Sequence, residues 1–291
     1  MKISKTAAFI AVKLYGLTRK KEVAEHFDPF VIEFYEKLVQ ALPKTMSWYY
    51  HSLTKPLWRR FFIFSEEALL PGDLMHILCR KYYVQQLVDE ALEEGFEQIV
   101  NLGSGFDHLG AMLSNKGIPV FELDKPDMIQ EKQKFIENNG YSNKKLNFVE
   151  CDVNKTRMGE ALKAHPNFYS QKKTLFVAEG FFDYLALLPS EHLLEDLKSL
   201  NYKNRLVSTF FSLDELNLLH ETVFRSGVTM VGESLQFKIT RDEFVDLLKE
   251  LGFELLTEIT HKQMKEDLVK KTGMKLPVLK GFYMFEFTPL A

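Results

Sequence analysis

Between Gln98 and Phe211 the chain alternates short β-type runs with stretches of helical spacing, and few architectures accommodate that alternation. The runs are QIVNL (98–102), PVFEL (119–123), LNFVE (146–150), TLFVAE (174–179) and RLVSTFF (205–211), with helical patterns at 127–138 and 190–200 between some of them. Strand, helix and strand in repeated succession predict crossover units and a mostly parallel sheet of an α/β protein. FELLTEIT (253–260) and GFYMFEFTPL (281–290) follow a long helical and irregular insertion. The second leaves no room for another crossover, so an antiparallel hairpin at the sheet edge is expected. Ahead of the sheet, Ser4 to about Arg60 reads as an aromatic-rich helical cap broken at Pro29, Pro43 and Pro56, and a further helix runs from Pro71 and Gly72 to Gly95. With 46% hydrophobic residues in 291, the chain is long and apolar enough for one large core with this appendage.

The first run leads into NLGSGFDHLG (101–110), a strand followed by Gly-x-Gly. Such a loop, made of Gly103, Ser104 and Gly105, puts bare backbone at a strand's carboxyl end, where open α/β sheets bind ligands. A dinucleotide fingerprint would place a third glycine where His108 stands, and Gly110 falls two residues late. Asp107 would oppose a pyrophosphate at the following helix N-terminus and would favour a cation. S-adenosyl-L-methionine carries a sulfonium and an ammonium and no phosphate, so it fits; Asp107 also suits a helix cap, and the two roles are compatible. Asp124, about 20 residues past the loop, has the usual spacing for a ribose acceptor. Glu122 shares its strand parity and is a candidate for the same job. After the third run, Asp152 offers an acceptor for an adenine amino group and Val153 an apolar contact for its ring.

These segments, together with SKTA near the start, FDPF, CRKYYVQQLVDEAL, VFELDKP, AEGFFDYL and GESLQFKI, occur in the order in which one family carries their equivalents. The chain resembles the class I S-adenosylmethionine-dependent methyltransferases related to leucine carboxyl methyltransferase and to the tetracenomycin-type polyketide O-methyltransferases. The resemblance implies a Rossmann-like seven-stranded sheet with a reversed last strand. It also implies an N-terminal helical lid over residues 1–70 and a core over 71–291 with an insertion around 212–240. It adds site residues: Arg80 as a clamp on the methionine carboxylate, Lys5 reaching the cofactor from the lid, Glu179 beside the ammonium, and Tyr184 closing its motif. The sequence departs from the family after the glycine loop, where His108 to Met112 replace a Thr-Arg pair and a further arginine, and at Val84 and Gln85, where an aspartate is common.

Methyl transfer from a sulfonium is an in-line displacement that alignment in a dry pocket accelerates, and a carboxylate acceptor needs no base. A phenol would profit from one, and His108 is the candidate by position. The aromatic residues Phe27, Phe30, Phe34, Trp48, Tyr49 and Tyr50 of the cap suggest an apolar acceptor, small molecule or peptide. The reading is therefore O-methylation of a carboxylate, with hydroxyl O-methylation or a non-catalytic cofactor-binding protein as alternatives. A nicotinamide oxidoreductase is disfavoured by the absent third glycine and by Asp107. With 37 basic and 40 acidic residues interspersed along the chain, no nucleic-acid partner is expected. No segment is long and apolar enough to span a bilayer, so no membrane partner is expected either. Cys79 and Cys151 are too far apart in sequence for a disulfide framework or zinc spacing, which points to the cytoplasm.

Overall fold

The computed structural model describes residues 3–43, 47–230, 232–236 and 239–290, without the side chains of 47–49. The side chains of Trp48 and Tyr49, and Phe237 and Lys238 of the GESLQFKI motif, thus lie outside the described residues. The chain begins with α1 (Lys5–Thr18), α2 (Lys21–Ala24), α3 (Pro29–Gln40), α4 (Ser47–Ser52) and α5 (Pro56–Leu69). Pro29 and Pro56 start helices instead of breaking them, because a first-turn residue has no intrahelical N–H partner to lose. Asp28 completes the entry to α3 by accepting from the Phe30 amide at 2.9 Å.

The long helix α6 (Asp73–Glu93) leads into β1 (Gln98–Leu102), α7 (Leu109–Asn115), β2 (Val120–Asp124), α8 (Pro126–Asn138), β3 (Leu146–Glu150), α9 (Met158–Ala164) and β4 (Thr174–Ala178). After α10 (Leu187–Leu200) and β5 (Arg205–Phe211) come α11 (Leu218–Met230), α12 (Arg241–Glu250), β6 (Phe253–Thr260) and β7 (Phe282–Pro289). Among the described residues these strands form one seven-stranded sheet in the order β3-β2-β1-β4-β5-β7-β6, in which β7 alone runs against its neighbours.

The expected antiparallel hairpin is present at the sheet edge: β6 and β7 pair antiparallel, with β7 between β5 and β6 and β6 outermost. The composition of β7 accounts for this: Phe282, Met284, Phe285 and Phe287 are buried on both faces, as an interior strand requires.

Strand side chains alternate between two apolar layers. Ile99, Leu175 and Val177 face a cluster shared with α1, α3 and α6, whereas Val100, Phe176 and Ala178 face one built with α9, α10 and α12. The N-terminal helices therefore share their core with one face of the sheet. Both cysteines are buried and free. No described helix is long and apolar enough to cross a membrane.

Candidate functional site

A cleft of about 500 Å³ opens where β1 to β4 end, roofed by the first turns of α1 and by the segment after α11. The loop after β1 is held from several sides. Gly103 adopts φ +59°, and a Cβ there would sit 2.2 Å from the Phe181 ring, so glycine permits this close approach. The Ser104 amide donates to the Leu123 carbonyl at 3.1 Å, and the Ser104 carbonyl accepts from Lys132 at 3.2 Å. The Gly105 amide donates to Asp124 Oδ2 at 2.8 Å while Asp124 Oδ1 accepts from the Lys125 amide at 2.7 Å. Burial raises the Asp124 carboxyl above its usual range, and those two amides act against the shift.

Glu122 does not share the site. It is fully buried beneath the loop, bonded to Lys132 at 2.6 Å and to the Asn101 amide at 3.2 Å. The late glycine has its reason here, since a Cβ on Gly110 would lie 1.7 Å from Glu122 Oε1. Gly110 lets α7 pack over a buried carboxylate and has no part in holding a phosphate.

Four charges form a chain along the cleft floor. Glu179 Oε1 accepts from Arg80 Nε at 2.6 Å and lies 2.7 Å from Lys81 Nζ, which also pairs with Asp107. Burial opposes the Asp107 charge, but Lys81 and His108 outweigh it and hold the carboxyl well below its usual range. Burial likewise opposes the Lys81 charge, and Asp107 with Glu179 reverses that and raises its pKa. Asp107 Oδ1 also accepts from the Leu109 amide at 2.7 Å, so the residue caps α7 and faces the cleft at once. Lys81 escaped the sequence reading. Its signal was the adjacent pair Arg80-Lys81 in a helix otherwise buried on that side, where a second cation needs a counter-charge.

Asp152 and Val153 line the cleft together. Asp152 accepts from the Asn154 amide at 3.2 Å and pairs with Lys155 at 3.1 Å; burial opposes its charge, but these partners lower its pKa. Tyr184 also lines the cleft, and burial raises its phenol so that it stays protonated.

Two expected site residues are placed elsewhere. Lys5 is exposed on the outside of α1 and donates to the Met230 carbonyl at 3.3 Å. Its neighbours take the inward positions: Ser4 and Thr6 line the cleft, and Thr6 donates to Glu233 at 2.6 Å. A helix turns 100° per residue, so SKTA cannot present all its polar groups to one side. His108 is buried behind the loop, its Nδ1 3.4 Å from the Tyr35 hydroxyl and 3.5 Å from Asp107 Oδ2. It does not line the cleft, so it is not placed to act as a base on an acceptor there.

The sheet order, its reversed β7 and a ligand-sized cleft at the glycine loop define a class I methyltransferase fold. Residues 33–198, more than half of the chain, match the leucine carboxyl methyltransferase family, and the chain belongs to that family. It is 27% identical over 158 residues to a Mycobacteroides abscessus protein named provisionally as an S-adenosyl-L-methionine-dependent methyltransferase, covering 54% of this chain and 51% of that one. A Mycolicibacterium paratuberculosis protein of the same name is 32% identical over 127 residues, 43% of this chain and 40% of its own length. The chain thus spans about half the length of these relatives, or less. Among solved structures, a Thermobifida fusca protein assigned provisionally as a methyltransferase superposes with TM-score 0.57 at 15% identity, over 80% of this chain and 89% of its own. A DUF574 family protein of Streptomyces avermitilis gives 0.59 at 11%, over 80% and 91%. At such identities the likeness concerns the fold.

Proposed function

We propose that the chain is an S-adenosyl-L-methionine-dependent O-methyltransferase acting on an apolar acceptor. The observation that carries this reading is the charge of the cleft, lined by six carboxylates and three cations. That surplus suits a ligand with a sulfonium and an ammonium and repels a dinucleotide's pyrophosphate. The donor set fits the cofactor group by group: Arg80 for the carboxylate, Glu179 and Asp107 for the ammonium, Gly103 and Ser104 for close backbone approach, Asp124 for the ribose, and Asp152 with Val153 for the adenine. When bound, the cofactor supplies an activated methyl group. The protein's part is to fix its orientation and exclude water, a role suited to α1 and the rest of residues 1–70 acting as a lid over the core of 71–291.

A carboxylate acceptor is the favoured class. Tyr184 remains protonated, and His108 lies outside the cleft, so the enzyme is best served by a nucleophile that is already ionised. One observation favours a hydroxyl instead: Glu233 lines the cleft and accepts from Thr6, which leaves a carboxylate at the roof as a base. Calorimetric titration with S-adenosylmethionine and with nicotinamide dinucleotides tests the cofactor, and binding of the dinucleotides alone defeats the reading. Labelled methyl transfer into a metabolite or peptide pool tests the activity. A hydroxide-labile product supports an ester, and a stable ether made by a Glu233-dependent enzyme supports the alternative.

A further inference from the structure

Helix α5 carries an apolar stripe that the fold leaves uncovered. Leu57, Trp58, Phe61, Phe64 and Leu69 are between 56% and 76% exposed, while Phe62 is buried against Gly16 of α1 and Ile63 packs partly against the core. Five large apolar side chains on one fourteen-residue helix exceed the scatter of exposed residues found on ordinary surfaces. Phe9, 47% exposed on α1, adds another, and the neighbouring side of α1 lines the cleft with Thr6, Ala7 and Ile10.

The stretch of sequence that leads into and carries most of this stripe has charges of one sign. From residue 50 to residue 65 the sequence has Lys55, Arg59 and Arg60 and no carboxylate. The two acids that follow are engaged within the protein: Glu66 pairs with Lys13 at 2.7 Å, and Glu67 accepts from the Gly72 amide at 3.0 Å. Lys55 and Arg60 stay exposed beside the aromatic side chains. A second copy docked through the same stripe would bring the exposed Lys55 and Arg60 close to their own counterparts. An anionic lipid surface satisfies both halves of the pattern, taking the aromatic and aliphatic groups at its boundary and the cations at its headgroups.

We propose that α5, with the outer side of α1, seats the protein on an anionic lipid surface beside the mouth of its cleft. The absence of a membrane span, on which the sequence expectation rested, does not bear on attachment of this kind. The test is sedimentation of the full chain with phosphatidylcholine vesicles, with and without phosphatidylserine. Binding is expected only where phosphatidylserine is present, and it should weaken as salt is raised. Arg60→Gln should lower the partition coefficient about fivefold. Phe61→Ser combined with Phe64→Ser should lower it about tenfold or more, with an unchanged circular dichroism spectrum because both side chains are exposed. Failure to bind phosphatidylserine vesicles, or binding that ignores the double substitution, overturns the proposal. So does a concentration-dependent dimer that the double substitution dissociates while vesicles are left unbound, since the face then belongs to a second copy.

Discussion

Replacing Arg80 by alanine should cost the cofactor a charge-assisted contact, about 1.5–3 kcal/mol or one to two decades in affinity, with unchanged calorimetric binding as the contrary result. Asp124→Asn should weaken binding about tenfold and lower the melting temperature as well, because an amide keeps one acceptor but sets a donor against one of the two backbone amides. Lys81 makes a different demand. Lys81→Met leaves Asp107 and Glu179 buried without their shared cation and should destabilise the fold by about 3 kcal/mol, with part of the loss recovered when Asp107→Asn is added. Equal melting of Lys81→Met and wild type would refute the account of that charge chain. At this scale, sequence spacing singled out the loop glycines, Asp107, Asp124 and Asp152, which stand at strand ends where topology brings them together. It misplaced Lys5 and His108 because the facing of one residue in a helix or loop depends on packing that spacing does not encode.

The helices and strands were more legible than the side chains, since periodicity reports which face is buried even when the neighbour is unknown. Its blind spot was Gly110, which reads as a misplaced phosphate-loop glycine until the Glu122 carboxylate is seen to occupy the space of its missing Cβ. Gly110→Ala must displace either α7 or the Glu122–Lys132 pair, and a loss of about 2–4 kcal/mol is expected in denaturant titration. Helix α1 carries another prediction. Its first turn is tied to the segment after α11 by Thr6–Glu233 and to the end of α11 by Lys5 on the Met230 carbonyl, so a bound ligand should slow amide exchange in α1. Exchange in α1 that is indifferent to ligand would argue against a lid.

For the molecule as a whole, stability should depend on pH through Asp183, whose carboxyl burial pushes up to about 7 from the 3.8 of a free side chain. A raised acid binds its proton more tightly in the folded state. Its contribution is therefore complete below pH 3.8 and is lost as pH rises through about 7. Asp183→Asn should flatten that part of the stability profile and stabilise the protein at pH 8 by about 2 kcal/mol, while keeping the oxygen that accepts from the Phe211 amide at 3.2 Å. An unchanged profile would assign the titration to another group. No periodicity predicts such a carboxyl, because its shift arises from elements distant in sequence closing around it. The same distance in sequence governs the order in which the sheet is completed. Among the described residues β6 has its sheet partner only in β7, and β5 lacks its outer neighbour until β7 arrives. During synthesis a ribosome that has already delivered β6 must go on to residue 289 before either edge is paired, so the nascent chain carries two open strand edges through that interval and depends on the speed of translation or on a chaperone to keep them from other chains.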